Sequence, residues 1–370
     1  MAEQVTPLKI IDEGQTIWGL DRQPAGCSHC HRAFLVQDSE INTACPLCFK
    51  GKLEPQPLRL RQTQPERLLP FKIKNQDLRP VYDSFISGVW IKPDDFTVEN
   101  LIKRTKAVFW PVWLVDSDVK GRWQVEAGFD YQVESSKEYY QDGQWRSRAI
   151  VENRINWEPR LGELETHIDN VAVPALEEHK NRLQLTGGYD LDHAGNFDPH
   201  LLNSALVEAP DLPPEDAWPL AKPKIDQRLA QVCEEAAGAQ HSRNFAIKGE
   251  YHNLNWTQFL LPMYVTFYRD DDGEPQVLVV NGERGEIKGP RLASQKRGLR
   301  IAAILGGIAG IILLFALLGF LLTAVFPPAG IIAALLAVLG FGTGLGALFP
   351  AIWPSQWNRN HQTPKIIERN

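Results

Sequence analysis

Four of the five cysteines fall into two pairs, Cys27-Ser28-His29-Cys30 and Cys45-Pro46-Leu47-Cys48, with fourteen residues between them. A CxxC turn aims two thiolates at one point. Two such turns brought together complete a tetrahedral four-sulfur site of the kind that holds Zn2+. Cys27, Cys30, Cys45 and Cys48 are therefore the expected metal ligands of a zinc ribbon, with iron in a rubredoxin-like site as the alternative. Four thiolates leave no open position for water or substrate, so the metal is expected to be structural. A segment this small builds little core, and metal binding would supply its folding energy. Gly51 suits the tight knuckle after the second pair. His29, inside the first pair, and His31, just after it, are expected as neighbours rather than ligands, since four cysteines already suffice. Cys233 stands apart and reads as a small buried residue on a helix.

No other chemistry is written locally. The chain has no GxxxxGK[ST] loop, no GxSxG elbow and no HExxH helix. Asp190, Asp192, Asn196 and Asp198 are spaced like part of a calcium loop. However, Ala194 takes its fifth position and Leu201 its twelfth, where a bidentate Glu is needed. The nine histidines are scattered. Trp90, Trp110, Trp113, Trp123, Trp145 and Trp157 are expected to pack a sheet rather than to line a cage. No catalytic residue and no cofactor-binding residue is assigned, and an enzyme is not expected. Residues 1–52 carry five Lys/Arg against six Asp/Glu. That flat balance argues against nucleic acid, whose binding modules carry a basic excess.

These residues need elements to hold them, and the clearest elements lie at the far end. From Ile301 to Trp353 there is no charged side chain. Residues 301–326 and 331–349 are two apolar runs broken by Pro327, Pro328 and Gly330. At ~1.5 Å rise per residue each run can cross a ~30 Å hydrocarbon core, so a transmembrane hairpin is expected over 296–353. Lys296, Arg297 and Arg300 precede it and Arg359, Lys365 and Arg369 follow it. The positive-inside rule then puts both ends in the cytoplasm, with a cytoplasmic tail over 354–370 and Trp353 and Trp357 at the interface. Neither span holds an ionisable residue, so an ion pathway through one hairpin is not expected. Gly306/Gly310, Gly340/Gly344 and Gly342/Gly346 repeat every fourth residue. That spacing suits a packed hairpin or a homo-oligomer seam. The N-terminus is polar and carries no secretory signal, so an unexported chain is expected, with its paired cysteines on metal rather than in disulfides.

Between ribbon and hairpin the composition changes twice. Residues 53–70 carry Pro55, Pro57, Pro65 and Pro70 and read as a linker. Residues 71–295 read as a cytoplasmic α+β region. Helices are expected at 77–89, at 96–103 and, Ala-rich, at 225–239. Short aromatic and β-branched strands are expected at 108–119, 121–134, 145–158, 163–173, 245–251, 260–269 and 277–280. Many alternate with charge, as in an antiparallel sheet with one wet face. The expected fold class is thus α+β: an N-terminal zinc ribbon over 1–52, a mixed antiparallel-sheet middle region and a C-terminal two-helix transmembrane hairpin.

The order of several segments resembles a bacterial family of zinc-ribbon membrane proteins. These are LPFKIK (69–74), SGVWIKPDDF (87–96), FWPVWLVD (109–116), FDPHLL (197–202), TQFLLPMYVTFY (257–268) and VNGERGEIKGPRLASQK (280–296). Members are often called replication-restart (primosomal) helicases, a name that does not fit a chain without a Walker motif. Relatives resemble the membrane anchor of phage-shock-type stress systems, or companions of stomatin/flotillin-like proteins. The resemblance implies a recruitment platform and carries no catalytic residue. The acidic stretch 270–274 and the Pro-rich stretch 209–223 depart from the family pattern and would alter a partner surface. The expected function is a non-enzymatic adaptor at the cytoplasmic face of the bacterial inner membrane, with the bilayer and protein partners as its ligands. The alternatives are a nucleic-acid tether through the ribbon and an enzyme with an unrecognised site in the middle region.

Overall fold

The computed structural model describes residues 9–11, 18, 21–60 and 64–361. The rest of the expected N-terminal module, residues 61–63 of the Pro-rich segment and residues 362–370 of the tail, with Lys365 and Arg369, lie outside the described residues.

The central element is one strand of unusual length. The region expected as four short strands between 108 and 173 is two, β4 (Lys106–Gln141) and β5 (Gln144–Pro174). They pair antiparallel over nearly their whole length, from Val112↔Pro174 to Gln141↔Gln144. At ~3.3 Å per residue β4 has a contour of roughly 120 Å. Asp142 (φ 54°) and Gly143 (φ 78°) join the two strands, both left-handed as a two-residue hairpin turn of matching twist demands. Gly121, Pro159 and Gly162, which punctuate the sequence like turns, interrupt nothing. Gly121 faces Gly249 where the strands come so close that a Cβ would lie 2.5 Å from the Gly249 Cα. Pro159 lies on β5, which pairs on one side only among the described residues, where a missing N–H is tolerated.

On the other side of β4 runs β7 (His241–Arg269), likewise one strand where two were expected. Its last pair is His241↔Gly128. Beyond Gly128, β4 and β5 continue alone as a two-stranded arm, residues 129–156. At the opposite end the sheet widens into a base. There β8 (Pro275–Asn281) pairs with β7, and β6 (Leu206–Glu208) lies parallel to β4 at Val108 and Phe109.

Through β6 the ribbon enters the same sheet. Its strands β1 (Gln23–Cys27), β2 (Ala33–Val36) and β3 (Leu53–Pro55) continue the order β4-β6-β2-β1-β3. The segment expected as a linker is built in at both ends. Leu53–Pro55 completes the ribbon, and Arg67–Leu68 pairs parallel to β7.

Alternation along β4 sends its two faces to different partners. Val108, Trp110, Val112 and Leu114 pack with the ribbon and with α3 (His179–Thr186). Trp113, Val115 and Val119 pack under α4 (Pro214–Ala237) through Ala217, Ala221, Ile225 and Leu229. Further out, Trp123 and Val125 meet Cys233, fully buried on the same helix. The Pro-rich stretch expected to shape a partner surface is thus partly the first half of α4, which runs through Pro219 and Pro223. The expected early helices are present as α1 (Leu78–Ser87) and α2 (Val98–Arg104), which packs on β7.

Two C-terminal helices, α5 (Gln295–Leu322) and α6 (Ala329–Asn360), are long and apolar enough to cross a membrane. Large apolar side chains such as Leu314, Phe315, Ile331 and Leu345 stand exposed along both. The two helices pack on a seam of small residues: Gly340 lies against Leu313, Gly319 against Ala333, and Ala309, Ala316 and Ala347 are buried. Of the three spaced glycine pairs only Gly340/Gly344 joins this seam, while Gly306, Gly310, Gly342 and Gly346 face open space. Pro350 does not end α6, which continues through Pro354 to Asn360 and so includes the start of the expected tail.

That continuation fixes the helices to the base. Trp357 donates its indole N–H to the Arg291 carbonyl at 2.6 Å, and Asn358 trades two hydrogen bonds with the Ala293 backbone. Arg297 donates to the Lys92 carbonyl at 3.0 Å, and the Lys296 N–H donates to Asp271 at 2.9 Å. Trp357 is therefore packed on protein. Trp90 lies beside Trp353 and Phe349 with more than half its surface open, a tryptophan of the contact region rather than of the sheet core.

Candidate metal centre and its mount

The two CxxC turns are near copies of each other. His31 N–H donates to the Cys27 carbonyl at 3.1 Å, and Phe49 N–H to the Cys45 carbonyl at 3.0 Å. His31 (φ 57°) and Phe49 (φ 52°) both turn left-handed, which ends each knuckle and leads its chain away from the sulfurs. Backbone donors also reach the sulfurs: His29 and Cys30 N–H to Cys27 Sγ at 3.4 Å, and Gly51 N–H to Cys48 Sγ at 3.5 Å. Gly51 is required by close approach, since a Cβ there would lie 2.6 Å from Cys27 Sγ.

The four sulfurs lie within 4.8 Å of one another. Cys27 to Cys48 is 3.6 Å and Cys30 to Cys45 is 3.7 Å. A disulfide would need ~2.05 Å. A tetrahedron of sulfurs about 2.3 Å from a central ion has edges of about 3.8 Å, which these distances fit. Cys27, Cys30 and Cys45 are buried and Cys48 is half-buried. The electrostatics also ask for a cation. Hydrogen bonding from Cys45 draws the Cys27 thiol down to about 6, helped by backbone N–H groups and opposed by burial. Cys45, with its thiol neighbours and burial all acting in one direction, is pushed far above the ordinary thiol range. Four sulfurs this close do not all ionise unless positive charge sits between them. The cysteines can hold a metal ion, and the closed set leaves it no position for substrate. His29 and His31 are exposed and outside the sulfur cluster.

A second group, unmarked in the sequence, fixes this centre to the base. Arg32, immediately before β2, is buried and meets Glu178 at 2.9 Å and Asp211, with Glu208 at 4.0 Å. Glu208, on β6, takes Arg182 of α3 at 3.0 Å, and both side chains are fully buried. Burial pushes the Glu208 carboxyl up, and Arg182 and Arg32 oppose that shift. These partners lie up to 179 residues apart, so no local spacing could reveal them. Lys106 also grips Glu40 at 2.7 Å, and Phe49 lies 4.3 Å from Phe267 of β7. A third cluster, Asp190, His193 and Glu283, is occupied internally. Glu283 accepts from Lys72 at 2.9 Å and from the Asp190 N–H at 2.7 Å, and His193 bonds Asp190 at 3.0 Å.

Nothing matches this chain among protein-family models, curated proteins or solved structures.

Two outcomes follow from this geometry. Cys45→Ser, purified in detergent, loses about one bound metal ion per chain by elemental analysis and unfolds at lower temperature. Retained metal at full occupancy would contradict the four-sulfur site. Arg32→Leu leaves Glu208 and Asp211 facing an apolar group and costs roughly 3–5 kcal/mol in chemical denaturation, far more than a surface ion pair. A loss under 1 kcal/mol would show that the cluster does not hold the ribbon.

Proposed function

We propose that this chain is a non-enzymatic adaptor, anchored by α5 and α6 in the bacterial inner membrane, that presents its cytoplasmic part to protein partners. One observation carries the reading: the soluble base is bonded to the helix ends without an intervening flexible linker, through Trp357, Asn358, Arg297 and Lys296. A flexible tether would suffice to keep a protein near a membrane. A rigid mount adds a fixed orientation, which matters when a surface must be met from one direction. Lys296, Arg297 and Arg300 at the start of α5 and Arg359 at the end of α6 favour a cytoplasmic base, with the turn at 323–328 facing out.

In this reading the metal is Zn2+. Zinc suits four thiolates, undergoes no redox change and supplies folding energy. The Zn2+ ion would be held by Cys27, Cys30, Cys45 and Cys48 and would lock β1 and β2 for pairing with β6. The ribbon is a strut of the base, and the partner-facing element is the arm, whose Tyr140 and Trp145 are 62% and 72% exposed. The resemblance to zinc-ribbon anchors of phage-shock or stomatin-like systems suggests the class of partner.

Replacing residues 129–156 by a short Asp-Gly turn leaves ribbon, base and helices intact. Affinity purification from detergent should then lose proteins that the full chain retains, while membrane fractionation is unchanged. Equal retention by both forms would rule out the arm as the contact. Val325→Cys should react with an impermeant maleimide added outside spheroplasts, and Ser136→Cys only after lysis. The reverse pattern would invert the orientation.

A further inference from the structure

The arm has two faces of opposite charge. Side chains alternate along a strand, and directly paired residues share a face. Over 129–141 and 144–156 the pairing places Asp130, Glu134 and Glu138 on one face with no Lys or Arg among them, and Asp130 bonds His241 of β7 at 2.8 Å. The other face carries Lys137, Arg146, Arg148 and Arg154 against Glu152 alone. Contacts confirm the division: Tyr140 packs edge-on to its pair Trp145 at 5.4 Å on the acidic face. The net charges are −3 and +3.

Both faces are also apolar and open. Trp145, Tyr140 and Val151 on the acidic face are each more than 60% exposed, and Tyr131 and Tyr139 on the basic face are 46% and 39% exposed. The cover that serves this strand nearer the base gives out here: β7 pairs only as far as Gly128, Gln240 and His241 reach only to Asp130, and α4 packs only as far as Val125. A bare two-stranded ribbon is marginal in water.

We propose that the arm stacks face on face with the arms of other copies of this chain, acidic face against basic face, in a parallel row or ring. This rests on the membrane anchoring argued above, since a shared membrane and a rigid mount hold neighbouring arms parallel and at equal height. At equal height the charges meet. Glu138 is the acidic residue with unshared basic levels opposite it, whereas Asp130, one residue from the level of the Tyr131↔Arg154 pair, is already held by His241. Glu138 lies between the levels of Lys137↔Arg148 and Tyr139↔Arg146. Glu134 falls near the level of Glu152, whose carboxylate is neutralised by Arg154 at 3.0 Å. Opposite faces meeting head to tail do not close a two-fold dimer, so the assembly grows as a ring or filament.

The test uses the full chain in native membranes, where the five natural cysteines are buried or in the sulfur cluster. Glu138→Cys/Arg148→Cys places one thiol on each face. Oxidation should give a ladder of covalent dimers, trimers and larger species, unchanged by nuclease. Either single variant should stay monomeric. Asp130→Lys/Glu138→Lys, read by chemical crosslinking, should lower the multimer yield roughly tenfold. Monomer alone, with both thiols open to maleimide, overturns the stacking. So does dimer from one single variant, which would mean like faces meeting. A ladder that collapses on nuclease overturns it in favour of nucleic acid on the basic face. If stacking fails while partner proteins are still retained by the arm, the adaptor reading stands without it.

Discussion

Everything in this molecule hangs on the continuous main chain of β4 and the hydrogen-bond ladders along its two edges. One strand runs from the buried base, under α4 and out to the arm tip. Each section is covered differently, but none is hinged to the next. A strand of ordinary length, about five or six residues, would have needed turns between base and arm, and each turn would have been a joint. Continuity transmits orientation from Lys106 to Gln141 through the sheet's own twist, with bulges in β5 near Asp116 and in β7 opposite Ser117 and Val125.

The ribbon contributes to that rigidity from the side. A metal knot alone could swing on its connections. Here β2 is hydrogen-bonded to β6, and the contact is sealed by Arg32, Glu208 and Arg182. Such buried ions are poor sources of net stability, because removing them from water costs about what their attraction returns. What they do supply is a definite docking position, since any other seating would leave a buried charge without its partner.

The sequence disclosed what is local. The cysteine pairs, Gly51 and the uncharged run from Ile301 to Trp353 carry their meaning within a few residues, so the four-sulfur cluster and the two apolar helices could be read directly. Strand continuity could not. Gly121 looks like a turn until Gly249 is placed opposite it. Gly162 is explained by the Trp123 ring, 2.7 Å from where its Cβ would be. The linker reading of 53–70 followed its prolines and missed short pairings with Lys9–Ile11, β1, β7 and Gly195–Asn196, whose partners are set by the fold. The arm's two-sided charge was written in alternate residues, but it becomes visible only once the register of β4 against β5 is known.

The helical run of α6 past Pro350 has a consequence for how the protein is made. The apolar cluster around Phe85, Phe96 and Tyr268 is closed on one side by Trp353 and Trp357. Those tryptophans leave the ribosome after every other described element of that cluster. In the proposed setting they also return to the cytoplasmic side only once α5 and α6 have crossed the bilayer and paired. The base is thus completed by its own anchor. A chain whose hairpin fails to insert keeps this cluster open, and the exposed aromatics present it to chaperones and proteases as unfinished. In that setting, membrane insertion becomes a checkpoint for the maturation of the base.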